Sequence, residues 1–265
     1  MKHTITLFLV AFTTIAFSQS RPEIHCKHFF NGYPFGAPAS NDLVIRDLYV
    51  LSNNDATKFA DWVAYKLTLH EVDGALDLDR NWRSEGWLAD AETLEKSDYT
   101  NASSEGDYDR GHQAPLGSFR NSVHASQTNH LSNITPQKED LNRGPWVKLE
   151  SHIRTLVQIN RLAYVMTGPL YEKAMEPLPK ANEKHTVPSG YWKVVVVPTS
   201  SSTFEYAAFI MEQESGRKDD VKSKVVTIDE VERRSGLDLL WELKNDVEAT
   251  TEADKNLSWI NTWID

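Results

Sequence analysis

The sequence predicts an α+β fold, with a central, mainly antiparallel sheet flanked by helices. Three observations carry that expectation. Five runs rich in β-branched and aromatic residues are spread along the chain. Helical periodicity is confined to two segments. No repeat at solenoid or propeller period and no low-complexity linker divides the 265 residues.

Taken in order, the chain opens MKHTITLFLVAFTTIAFSQS, where Lys2 precedes an apolar stretch over 5–17 and the small residues Ala16 and Ser18 suit cleavage before Gln19. About 13 apolar residues fall short of the roughly 20 that a membrane span needs. Residues 1–18 are therefore expected to be a cleaved signal peptide and 19–265 a single domain, secreted or periplasmic, without stable membrane association. Cys26 is the only cysteine, which excludes an intramolecular disulfide and leaves cohesion to the core. The stretch NGYPFGAPASN, 31–41, reads as an exposed lead-in to a strand over 43–51. Further strands are expected over 62–69, 163–167, 192–198 and 204–211.

After the turn Asp140-Leu-Asn-Arg-Gly-Pro145, the residues Trp146, Leu149, Ile153, Leu156 and Val157 recur at helical spacing, and Pro145 fits only the first turn. A second helix is expected over 226–236, with Thr227 and Glu230 as a capping box and Gly236 as its stop. Trp259, Ile260 and Trp263 would let the tail dock.

The formal net charge of −10, or −11 once Lys2 leaves with the signal, argues against a polyanionic partner. Its distribution softens the objection. Residues 110–154 hold six Lys/Arg against three acids, while 211–265 hold fourteen acids against eight bases. A local basic surface can coexist with an acidic body, and phosphate contact follows the local field.

Polar groups are densest in Tyr108-Asp109-Arg110-Gly111-His112-Gln113-Ala114-Pro115 and in the segment from Asn133 to Trp146. Cleaving a phosphodiester needs a base for water, a cation against charge developing on phosphorus, and an acid or metal at the leaving oxygen. His112, with an ordinary pKa near 6.5, is a candidate base, although a lone histidine is more often structural. Asn142 offers a neutral oxygen suited to a largely hydrated Mg2+, or simply caps a helix. Asn133 is a weaker ligand and the better loop pin. Glu150, eight residues beyond Asn142, would on a continuous helix lie two turns along and about 80° round. Otherwise it is an exposed helix carboxylate. Arg110 and Arg80 offer planar donors to phosphate, and by local context alone Arg80 is no better than Arg83.

DRGHQAP followed by LSNITPQKEDLNRGPWVKLE resembles the DNA/RNA non-specific endonuclease family, the Serratia nuclease-like ββα-metal nucleases. The similarity runs over about 43–236, through DRNW, VMTGPLYEK and HTVPSGYWKVV. The resemblance implies a ββα-metal motif with His112 as general base, Asn142 as the magnesium ligand and Glu150 as an orienter of metal-bound water. It further implies that Arg110 and Arg80 bind phosphate, that Asp109 and Asn133 support the site, and that Mn2+ substitutes for Mg2+. DNA and RNA would be the substrates, and the ends left would be 5′-phosphate and 3′-hydroxyl. A homodimer is left open. One departure is that better-known secreted members carry disulfides, which this chain cannot form. Two other readings compete: a zinc hydrolase drawing on His112, His124, His130 and Asp109, and a non-catalytic nucleic-acid binder on the same fold.

Overall fold

The computed structural model describes residues 21–264. The expected signal peptide and Asp265 lie outside the described residues. Nine strands form: β1 (Asp42–Ile45), β2 (Val50–Asn54), β3 (Phe59–Thr68), β4 (Tyr108–His112), β5 (Ile134–Lys138), β6 (Leu162–Leu170), β7 (Gly190–Pro198), β8 (Phe204–Glu212) and β9 (Val225–Val226). The helices are α1 (Leu69–Val72), α2 (Ala102–Gly106), α3 (Glu139–Leu141), α4 (Val147–Asn160), α5 (Ile228–Ser235), α6 (Asn245–Ala253) and α7 (Leu257–Ile260). Seven strands make one sheet in the order β1-β2-β3-β6-β7-β8-β9, every pair antiparallel. Strands β4 and β5 form a separate antiparallel pair.

Central β7 explains why helices cover both faces of the sheet. Alternate side chains of a strand point to opposite faces, and a strand buried on both reads as a continuous apolar run. Tyr191, Val195 and Val197 enter one core, packed with Trp146, Leu149, Ile153 and Val157 of the α4 region. Trp192, Val194 and Val196 enter the other, closed by Ile228 and Val231 of α5 and by Tyr33, Phe29 and Trp241. The docked tail joins the first core through Ile260, Trp263 and Ile264, with the Trp263 ring 6.2 Å from that of Phe209. A third cluster, with Phe59, Leu94, Tyr99, Tyr108, Leu131 and Ile134, lies beneath β4 and β5.

The strand pair is tied to the main sheet through Pro136. Its carbonyl accepts from the Tyr191 hydroxyl at 2.8 Å and from Gln213 Nε2 at 2.7 Å. Proline has no N–H to give a ladder, so it suits a two-stranded unit with an open edge.

Several boundaries differ from the sequence expectation. The run over 43–51 is not one strand but the hairpin β1–β2, closed where Arg46 N donates to Tyr49 O at 2.8 Å. The β4 and β5 segments, YDRGH and ITPQK, lack the apolar alternation that marks strands and were not among the five runs. Pro145 lies ahead of α4, inside a wide turn over Asn142–Trp146 where Gly144 is non-helical at φ −112°, ψ −115°. A Cβ on Gly144 would stand 2.7 Å from the Arg217 backbone, so close approach of that loop requires the glycine. In α5, Thr227 accepts from Glu230 N at 3.1 Å and Gly236 ends the helix at φ +73°, but the Glu230 carboxylate turns to Arg233 and only half the capping box is made.

Candidate active site

Strand β4, the wide turn and α4, with α2 and the loop that carries Arg80 and Trp82, wall an open cleft of about 1080 Å³. His112 ends β4, opposite Ile134. Its Nε2 lies 3.0 Å from Asn129 Oδ1. Asn129 is fully buried and donates its Nδ2 to the Asp79 carbonyl at 2.6 Å, which fixes the amide so that the oxygen faces the imidazole. Nε2 must therefore carry the proton, and Nδ1 is left as the basic nitrogen. Burial, with a smaller contribution from nearby Arg80, pushes the imidazolium down to about 4, while the Asn129 bond acts in the opposite direction. Trp82 backs the ring at 5.3 Å between centroids.

Arg110, two residues earlier on the same strand, has its guanidinium 5.1 Å from the Tyr99 ring and 5.5 Å from the Trp82 ring. Its Nη2 reaches the Tyr99 carbonyl at 3.5 Å, and its buried Nε has no partner among the described residues. Desolvation lowers its pKa, but an arginine stays charged, so a half-desolvated cation with free donors faces the cleft. Arg80 reaches the same cleft from an exposed loop.

Gly111 between them leaves room for the Gln137 side chain. The strand is extended there, and a Cβ would sit 2.2 Å from Gln137 Oε1 and 2.4 Å from its Cδ, the side chain that crosses beneath.

Asn142 Nδ2 donates to Asp109 Oδ2 at 2.9 Å. A carboxylate only accepts, so the amide nitrogen must face Asp109 and the amide oxygen is turned away from it. Asp109 is itself held by Arg143, at 2.8 Å from Nε and 2.6 Å from Nη2. Asn133, fully buried, lies behind the cleft. Its Oδ1 accepts from Ala114 N at 2.9 Å and its Nδ2 donates to Ala114 O and Thr128 O, which pins the chain that follows His112.

Glu150 lines the cleft with Asn142, but not by the continuous-helix route that spacing suggested. The kink at Gly144 breaks the helix between them. Burial raises the Glu150 pKa, and Lys193 and Arg154 pull it back. Lys193 is wholly buried in mid-strand β7, its Nζ 4.5 Å from the Trp146 ring and without a hydrogen-bond partner among the described residues, and burial draws it down to about 8.

Four arginines, Arg80, Arg110, Arg143 and Arg154, line the cleft against the carboxylates Asp109 and Glu150, so the local field is positive on a chain of net charge −10. The structure thus gathers His112, Arg110, Arg80, Asp109, Asn142 and Glu150 around one cleft and places Asn133 behind it. Asn129, Trp82, Tyr99 and Lys193 were missed. Asn129 has no motif of its own, since its only signal is the buried amide pairing. Lys193 stands out in sequence only as a charge within YWKVVVV.

The zinc alternative gains nothing from the geometry. Among the described residues, the His/Cys/Asp/Glu groups close enough to share an ion are Asp42, Asp55, Glu92 and Asp229, Glu232, Glu252, and neither includes a histidine.

A family model described as DNA/RNA non-specific endonuclease matches residues 30–246. A nuclease of Serratia marcescens is 42% identical over 224 residues, spanning 84% of this chain and 83% of the relative. Human mitochondrial endonuclease G is 30% identical over 216 residues, 77% of this chain and 71% of the relative. A crystal structure of an EndoG/EndoGI complex aligns with a TM-score of 0.68 at 26% identity, covering 81% of this chain and 90% of that one.

Proposed function

The chain belongs to the DNA/RNA non-specific endonuclease family, metal-dependent hydrolases of nucleic acids, and on that premise we propose that it is an exported enzyme that uses His112 Nδ1 to activate water against the phosphodiesters of DNA and RNA. The observation that carries this reading is the Asn129 bond, which commits Nε2 as donor and leaves a neutral, desolvated base in a cleft lined by arginines.

Nδ1 takes a proton from water as the water oxygen bonds to phosphorus. Arg110 and Arg80 offset the charge growing on the non-bridging oxygens, and the rings of Trp82 and Tyr99 hold the Arg110 plane in place. The bond from phosphorus to the 3′ oxygen then breaks, giving a 5′-phosphate and a 3′-hydroxyl. The donor set fits magnesium: a neutral amide oxygen on Asn142, oriented by Asp109, with the Glu150 carboxylate on the same cleft to hold water. When bound, the ion supplies positive charge at the phosphate and water for the leaving oxygen. Export rests on the leader-like residues 1–18, with Lys2 ahead of an apolar run.

Digestion of supercoiled plasmid and of RNA, with EDTA and after magnesium is restored, tests this reading. Magnesium-dependent loss of both substrates, with ends that ligase accepts directly, is expected. Intact substrates under saturating metal would leave only a nucleic-acid binder.

A further inference from the structure

The α5–α6 junction lies across the end of the family match at residue 246 and takes no part in the cleft. Asp229 and Glu232 lie one turn apart on α5, and Glu252 reaches them from α6. An oxygen from each of these carboxylates lies within 4.8 Å of the other two. Asp229 is exposed, Glu232 is half-buried, and Glu252 is only 7% exposed.

Acidic surface clusters are common and mean little alone. Here the buried member is also unsatisfied: Glu252 Oε1 is shielded from water and has no hydrogen-bond partner among the described residues. Among the described residues no lysine, arginine or histidine pairs with Asp229, Glu232 or Glu252. The nearby cations are otherwise engaged, Arg233 with Glu230 and Arg234 with Glu172 and Glu212. Asp238 and Glu248 add further negative charge, and Arg21 is taken up by Asp238 at 2.5 Å. Leaving a buried carboxylate unpaired is expensive, and a divalent ion with oxygen ligands is the partner that three converging carboxylates suit.

We propose that Asp229, Glu232 and Glu252 form a structural divalent-cation site, of calcium type, that clamps α6 onto α5. Calcium tolerates the irregular geometry of side chains drawn from two helices, which magnesium, with its strict octahedron, does not. The proposal is independent of the nuclease reading.

The test is the unfolding midpoint of the full chain in calcium chloride against potassium chloride of equal ionic strength, for wild type, Asn142→Ala, Glu252→Gln and Asp229→Asn. Asn142→Ala removes the cleft amide and so separates the two sites. Saturable calcium stabilisation of about 5 °C is expected in wild type and Asn142→Ala. Glu252→Gln, even if more stable without calcium, loses that response, and the exposed change Asp229→Asn weakens it by about tenfold in calcium concentration. No calcium response in wild type, its loss in Asn142→Ala, or its survival intact in either carboxylate variant overturns the proposal.

Discussion

Asn129→Asp probes the site without removing a group that meets the substrate. The carboxylate still accepts from His112 Nε2, now 3.0 Å from a full negative charge where a neutral amide stood. An opposite charge at that range favours the imidazolium and raises its pKa by about 1–3 units. The starting value is about 4, set chiefly by burial. An unperturbed imidazole would place the acid limb of activity near 6.5. Desolvation of the half-buried ring puts it near 4 in the free enzyme, so wild-type kcat/KM should be nearly flat from pH 5 upward. A two-unit rise in Asn129→Asp cuts the neutral fraction at pH 5 from about 0.9 to about 0.1, a loss of roughly ninefold that disappears by pH 8. Initial rates on plasmid at saturating magnesium, from pH 4 to 8, measure it. Asn129→Ala serves as the comparator: with no acceptor the ring loses its tautomer and its aim, and the rate falls by about 10–100-fold at every pH. Both variants lose the Asn129–Asp79 hydrogen bond, since neither a carboxylate nor a methyl can donate to the Asp79 carbonyl, so rates are compared only where circular dichroism reports native fold. An acid limb in Asn129→Asp that coincides with wild type would refute the assigned tautomer and base.

Three further outcomes follow from the geometry. Arg110→Lys keeps the charge but loses the plane held between Tyr99 and Trp82, and kcat/KM should drop by about 10–100-fold with no change in unfolding midpoint; retained activity would show that the guanidinium geometry is dispensable. His28, fully enclosed, accepts from Lys66 N at Nδ1 and donates to the Asp47 carbonyl, and burial lowers it from 6.5 to about 4. A lowered histidine contributes stability above its unfolded pKa and loses it as pH falls through the folded one. Chemical denaturation should therefore show about 3 kcal/mol lost between pH 6.5 and 4 that His28→Gln does not lose, and equal slopes would contradict the assignment. Gly111→Ala should cost about 1–3 kcal/mol in urea unfolding, since its methyl would overlap buried Gln137, and an unchanged midpoint would mean that Gln137 moves freely.

The strands that pack against both cores were legible because β7 and β8 carry their burial in composition, as YWKVVVV and YAAFIM show. The hairpin split at Arg46–Tyr49 was hidden because its turn holds no glycine or proline, and β4 and β5 because chemistry, not packing, chose their residues. Candidate site residues were legible where a local motif carried them, as at Arg110, His112 and Asn142. The route from Asn142 to Glu150 was not, since the Gly144 kink depends on the distant Arg217 loop. Asn129 and Lys193 were illegible for the same reason, as each acts through a partner that only the folded chain brings near: His112 for Asn129, and Glu150 and Trp146 for Lys193.

The central claim is that one imidazole nitrogen takes the proton of the attacking water. Its most direct test is the single-turnover cleavage rate of His112→Ala on plasmid, with magnesium saturating and the native fold verified by its unfolding transition. The account predicts a fall of about 10²–10⁴-fold with substrate binding retained in a gel shift. A folded variant that keeps more than about a tenth of the wild-type rate would show that another group is the base.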